Sequence, residues 1–442
     1  FWAKDHGAEL PAEGLTVSFL DRMEDVTDRI MKKADAADES TRAMAIEEEM
    51  QKIESEYEIE NGRVRVKSMF NGNAYYVFVY KVYRDIRLVG APPSSIGKFG
   101  GDTDNWMWPR HTGDFSMFRI YAGADNEPAD YSESNVPYKP KHSLPVNIQG
   151  LNDGDFTMIM GYPGSTSRYL TSFELEDQQN NEAPVYVKAL GKRLELMKAE
   201  MDKSEQVNID YASTRASLAN TWKYFKGQLR GLKKFDLLSQ KKLYEKELQE
   251  WIEADEDRKK KYGSMLSDFE KAFAADPGLS KDMAYFNMAA FGPEFVGNGF
   301  GLWRLNSMLE GGSDEEAVNA FAKELLEGAK ESMATYNALM DRNILEAMLD
   351  LLQTELSENR KLEFFETDYY QKKAKGSNAT FADLVMNKSI MTDLGRLEKF
   401  LKKPKAKKLA KDPGFIYVNS IIQTFISKLN MASRMRSGEM EE

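Results

Sequence analysis

The spacing of apolar positions changes character near residue 166. Before it, apolar residues come in short runs, many β-branched or aromatic. After it, they recur at helical intervals. Residues 15–20 form a short β-branched and apolar run that predicts a strand. Residues 25–56, rich in Ala, Glu, Lys and Met, predict one or two solvated helices. A turn signal, Asn71-Gly72-Asn73, precedes residues 74–89 (AYYVFVYKVYRDIRLV), whose Tyr, Val, Phe and Ile suit β-structure. Residues 112–121 alternate apolar and polar positions and predict a half-buried strand entered just after Gly113. Residues 155–160 predict another, ended by Gly161-Tyr162-Pro163-Gly164. Short strands punctuated by Gly and Pro point to a barrel or sandwich.

In the second part, Leu190, Leu194, Met197 and Met201 fall at i, i+4, i+7 and i+11, a helical stripe. Residues 233–274 are almost free of Gly and Pro and suit helices, until Asp276-Pro277-Gly278 breaks them. Ser313-Asp314-Glu315-Glu316 has the form of a capping box opening a helix through about Met333, and Thr380 with Asp383 gives a similar signal. The expected fold class is α+β, with a β-rich domain over residues 1–166 and an all-α domain over residues 167–442.

Composition narrows the classes of function. A chain of 442 residues is long for one domain and predicts two or three. Its net charge of −11 opposes nucleic-acid binding, which needs a concentrated positive field. The run Lys402, Lys403, Lys405, Lys407, Lys408 and Lys411 therefore reads as a solvated helix face. With no cysteine, there is no disulfide, thiolate metal site or cysteine nucleophile in these residues. No apolar run is long enough to predict a membrane span. The opening Phe1-Trp2-Ala3-Lys4-Asp5 reads as mid-protein sequence, so the chain is expected to be an internal fragment.

The most unusual stretch is residues 100–115, GGDTDNWMWPRHTGDF, with two tryptophans, three aspartates, an arginine and a histidine between strand-like segments. Loops of this kind carry function disproportionately, although the tryptophans could equally plug a core. A calcium loop is excluded, because Trp106 and Met107 occupy positions that need an oxygen ligand and a glycine. His111 and Asp114 are spaced as on a helix but precede a strand, so no metal site and no cofactor is expected. No GxSxG-like elbow offers a complete nucleophile site, and Gly164-Ser165 after Pro163 reads as a turn.

FGGDTDNWMWPRHTGDFSMFRIY, then GYPGSTSRYL and the run through YASTRASLANTWKYFKGQL, closely resemble the S46 family of serine peptidases, bacterial dipeptidyl aminopeptidases. The similarity extends to FWAKD at the start and to LEKFLKKPKAKKLAKDPGF late in the chain. The resemblance implies part of a chymotrypsin-like double β-barrel followed by a large α-helical regulatory or lid domain. It implies that Asp114 is the aspartate of a His–Asp–Ser triad, with the histidine before Phe1 and the serine beyond Glu442. His111 is then not the base, and this fragment alone is expected to be inactive. It also implies that Asn105, Trp106 and Asn220 hold the free amino terminus of a peptide substrate. Asparagine carbonyl oxygens suit an ammonium, which only donates, and Trp106 can face the cation. Family membership further implies a homodimer in the full-length form and a periplasmic or cell-surface location. The preference for acidic or hydrophobic side chains is expected to be set outside these residues. The competing reading from the residues alone is a non-catalytic binding or scaffold protein that presents its helical part.

Overall fold

A computed structural model describes residues 1–37, 39–70, 72–158, 167 and 169–441. It divides into two compact units, Phe1–Gly161 and Tyr162–Glu442.

The first unit holds two antiparallel sheets, which together with helices make it α+β. Its strands are β1 (Leu10–Pro11), β2 (Val17–Asp25), β3 (Gly62–Met69), β4 (Ala74–Tyr83), β5 (Asp85–Gly90), β6 (Met117–Ala122) and β7 (Val136–Pro137). The three-stranded sheet runs β2-β4-β3 and the four-stranded sheet β1-β5-β6-β7. The single stretch expected over residues 74–89 is thus two strands in different sheets, divided at Arg84. In β3, Val64 and Val66 alternate with Arg63, Arg65 and Lys67. The valines pair with Val79 and Val77 of β4, and all four are buried. A one-residue slip would turn that face to water, so the alternation fixes the register.

Helices α1 (Thr27–Ala34) and α2 (Glu39–Glu56) cover this face, with Ile30 and Ile53 fully buried against the strand valines. Arg29 of α1 joins the helices through Glu49 (2.6 Å) and Glu56 (2.6 Å) of α2. In the other sheet, Asp85 and Arg87 pair at 2.7 Å, and Arg87 stacks over the Tyr121 ring at 3.7 Å. Burial of this pair is tolerable because Asn135 and the Ser132 carbonyl complete its hydrogen bonds.

Two expectations fail here. The strand predicted over residues 112–121 begins only at Met117, and Thr112 and Gly113 hydrogen-bond back into the preceding loop instead of pairing. Residues 155–158 are irregular, and the rest of that prediction, with Gly161-Tyr162-Pro163-Gly164 and Ser165, lies outside the described residues.

Two short helices, α3 (Ser94–Gly97) and α4 (Gly101–Asp104), interrupt the loop before β6. The second unit contains α5 (Ser172–Asp177), α6 (Ala183–Met201), α7 (Glu205–Lys234), α8 (Leu237–Glu253), α9 (Glu256–Tyr262), α10 (Met265–Ala275), α11 (Leu279–Tyr285), α12 (Phe295–Glu310), α13 (Glu315–Ser332), α14 (Ala338–Glu355), α15 (Asn378–Lys388), α16 (Leu394–Leu401), α17 (Ala406–Leu409), α18 (Pro413–Thr424) and α19 (Met431–Glu441). The stripe Leu190, Leu194, Met197 and Met201 is buried on α6, as its periodicity requires. Caps fall a few residues from the sequence signals. Asp314, not Ser313, accepts the Ala317 N–H, and Ser377, not Thr380, caps α15. Ser313 and Asp314 can both cap, and Ser377 stands one turn before the Thr380 signal, so only the backbone geometry selects between them. The lysines from Lys402 to Lys411 are all exposed. No helix among the described residues is long and apolar enough to cross a membrane.

Candidate active site

The loop between β5 and β6 is built on glycine. Gly100 adopts a left-handed φ of 74° as it leads into α4, and the Asp104 side chain occupies the space where a Cβ would stand. A side chain at residue 100 would therefore be both strained and blocked. Asn105 ends α4 in an extended conformation (φ −61°, ψ 132°), which separates its side chain from the helix axis. Trp106 follows with φ 61°. A bulky non-glycine residue in the left-handed region costs energy, and such strain concentrates at functional sites. Trp106 is 58% exposed, so it does not plug the core of the loop.

The return of the loop is pinned to α3. The Gly113 N–H donates to the Ile96 carbonyl at 3.1 Å, and the Thr112 hydroxyl to the Phe99 carbonyl at 2.9 Å. These bonds place Asp114 at the tip of the segment leading into β6. Phe1–Ala3 lies alongside residues 89–91, through Ala3 N–H to Val89 and Ala91 N–H to Phe1. Trp2 thereby packs over Gly90 and reaches Phe115, ring centres 6.0 Å apart, next to Asp114.

Asp114 was expected to gain burial from a strand beginning after Gly113. Instead its side chain is 68% exposed and lies 3.8 Å from Nη2 of Arg110. The strand starts too late to cover it, and a loop pinned by two hydrogen bonds leaves the carboxylate facing outward. Arg110 was not singled out in the sequence. Its four-residue spacing to Asp114 has no meaning outside a helix, and here the loop alone brings the charges together. His111 is exposed on the same segment. Among the described residues no group of three or more His, Asp or Glu is arranged to hold a metal ion.

Asn220 belongs to the second unit and is exposed on α7, beside buried Ala219. The helix face opposite solvent is fixed to α6: Trp222 Nε1 donates to the Val187 carbonyl at 3.1 Å, and the Tyr186 and Phe225 rings stack at 4.1 Å. Ser204 caps the helix start through the Val207 N–H. Asn220 is therefore displayed from a rigid helix. Asn105 and Trp106 are displayed from a loop whose own hydrogen bonds fix its course.

These features define an α+β protein with a sheet-bearing unit, which carries a carboxylate-containing loop, and a helical unit. The chain belongs to the S46 peptidase family, whose profile, Peptidase S46, matches residues 1–442. It is 39% identical to dipeptidyl-peptidase 7 of Porphyromonas endodontalis over 98% of this chain and 52% of that protein. It is 36% identical to the Asp/Glu-specific dipeptidyl-peptidase of Flavobacterium psychrophilum, over 96% of this chain and 59% of the relative. The crystal structure of Porphyromonas endodontalis DPP11 in complex with the dipeptide Arg-Glu superposes with a TM-score of 0.80 at 29% identity, covering 100% of this chain and 63% of that one. The chain thus spans between half and two thirds of the length of the relatives it matches.

Proposed function

We propose that this chain is part of a serine-type dipeptidyl peptidase, which releases dipeptides from the free amino terminus of peptides. The observation that carries the reading is family membership over all 442 residues, together with relatives named as dipeptidyl peptidases. Residues 1–166 contribute part of a chymotrypsin-like catalytic domain, and residues 167–442 a helical regulatory or lid domain.

In this reading Asp114 orients the catalytic histidine. A carboxylate beside an imidazole fixes its tautomer and stabilises the imidazolium formed when the serine attacks. The histidine and serine are the residues that the family pattern puts outside this chain. The outward-facing Asp114 carboxylate is open to a donor arriving from another segment, which supports the assignment. Asn105 and Asn220 accept hydrogen bonds from the substrate ammonium, and Trp106 walls it from water or faces the cation. A fixed ammonium site measures the distance to the scissile bond, so cleavage falls after the second residue. The protein acts as a homodimer in the periplasm or at the cell surface.

The test is made in the protein that carries the complete triad. A fluorogenic dipeptide with a free amine is expected to be hydrolysed, and its N-acetylated form to lose at least 100-fold in kcat/KM. Equal turnover of the two would remove the ammonium site and the proposed exopeptidase activity with it.

A further inference from the structure

The helical unit contains a cavity of about 310 Å³, within the range of small-molecule sites. Arg193 and Met197 of α6, Tyr211 of α7, Glu294 before α12, and Asp341 and Ile344 of α14 line it. None of these residues belongs to the proposed peptidase site.

Arg193 is the unexplained group. Its Nε is sealed from solvent with no hydrogen-bond partner, and its guanidinium makes no ion pair among the described residues. Asp341 contributes attraction at a distance but does not cap it. The Asp341 oxygens are committed elsewhere, to the N–H groups of Glu294 (2.7 Å) and Phe295 (3.0 Å) and to the Tyr336 hydroxyl (2.8 Å). Glu294 in turn accepts the Tyr211 hydroxyl at 2.7 Å. The Arg193 side chain is half-buried, and a guanidinium N–H sealed from water without an acceptor is costly.

The fork of an arginine matches a carboxylate in bidentate fashion, and Met197 and Ile344 supply apolar wall beside it. A second feature marks the same place. The π-helical turn Phe286–Ala290 ends immediately before the segment from Phe291 to Glu294 that borders the cavity. Such turns are frequent at functional sites, although the helical unit has others, at Gln178–Glu182, Tyr369–Lys373 and Phe425–Asn430. Burial also pushes the Glu294 carboxyl upward, toward the neutral form that tolerates an anion nearby.

We propose that this cavity is a binding site for a small monocarboxylate with an apolar body, its carboxylate held by Arg193. The ligand would join α6, α7 and α14 from within the helical unit. Its source is either a simple carboxylic acid or a free amino acid, and these differ in the ammonium.

Isothermal titration of the 442-residue chain with hexanoate, leucine and inorganic phosphate separates the possibilities. Hexanoate is expected to bind at one site and raise the melting temperature. Arg193→Met is expected to weaken binding at least 10-fold while melting no lower than the parent without ligand, because it removes an N–H sealed without an acceptor. In a second variant, Thr214→Trp, a large ring is added at an exposed position that lines the cavity and is expected to block binding in the same way. If Arg193→Met fails to fold, the Thr214 variant decides. Binding of hexanoate without leucine assigns a simple acid; binding of leucine alone, or of leucine as tightly as hexanoate, assigns an amino acid. Each of these supports the site. The proposal is overturned if neither binds at millimolar concentration, if phosphate binds as tightly as the carboxylates, or if both variants bind like the parent.

Discussion

At the scale of residues, the structure separates side chains that the sequence leaves equivalent. Asp85 and Asp114 lie close in the chain and both meet an arginine. Asp85 is buried with its hydrogen bonds met, whereas Asp114 is open to solvent. Removing the Asp114 charge should therefore cost little stability, well under about 1 kcal/mol for such an exposed pair. Under the proposed function, Asp114→Asn in the protein that carries the complete triad is expected to lower kcat on the order of 10³-fold or more while the melting temperature is unchanged. Steady-state kinetics and a thermal melt on the same preparation check this. Asn105→Ala should instead raise KM more than it lowers kcat, since under the proposed function it removes an acceptor for the substrate ammonium before and during reaction.

Glu182 offers a pH test of a different kind. Burial, and then the charge of Asp177, raise its carboxyl above the usual value. The folded state thus favours its protonated form. Stability from this group is fully present below the ordinary glutamate range and is lost as pH rises through the raised value. Glu182→Gln should melt higher than the parent at pH 7 and converge with it in acid. Parallel melting curves at every pH would contradict the assignment.

At the scale of elements, periodicity served where one face is buried against one partner. The α6 stripe and the break at Asp276 to Gly278 follow the pattern closely. The alternation of β3, Val64 and Val66 between basic residues, follows the same rule, but the run is short and lies beside a long helical segment, so it gives a weak signal. Caps are another matter. Asp412 starts α18 by accepting the Phe415 N–H, and it also holds the Ile390 N–H and the Ser389 hydroxyl. Its role as a junction of two chain segments is invisible in DPGF. Asp412→Ala leaves three donors without their acceptor in a buried place, and should cost about 2–4 kcal/mol. Chemical denaturation monitored by circular dichroism measures that loss.

At the scale of the whole molecule, the two units have cores of different kinds. The helical unit's core draws on residues from Val185 to Leu429, and the sheet unit's principal core on residues from Val26 to Val79. A core complete within one stretch of chain can support independent folding. Residues 169–442 produced alone are expected to give a helical circular dichroism spectrum and one cooperative thermal transition. A non-cooperative melt would show that the helical unit depends on the rest of the chain.

The sequence by itself determined the change from β-rich to helical organisation, the principal helices and the family, because each rests on local periodicity or on a long contiguous motif. It also singled out the loop that carries Asn105, Trp106 and Asp114. Only the tertiary structure decided that residues 74–89 serve two sheets, that β6 begins after Asp114 rather than before it, and that Arg110 is the charge beside it. Arg193 shows the reason most plainly. It stands three residues after Leu190 and four before Met197, on the edge of the α6 stripe, where a pattern reads it as a snorkelling surface charge. Whether such a group reaches water or a cavity depends on what the other helices leave beside it, and that is a property of packing in three dimensions rather than of spacing along the chain.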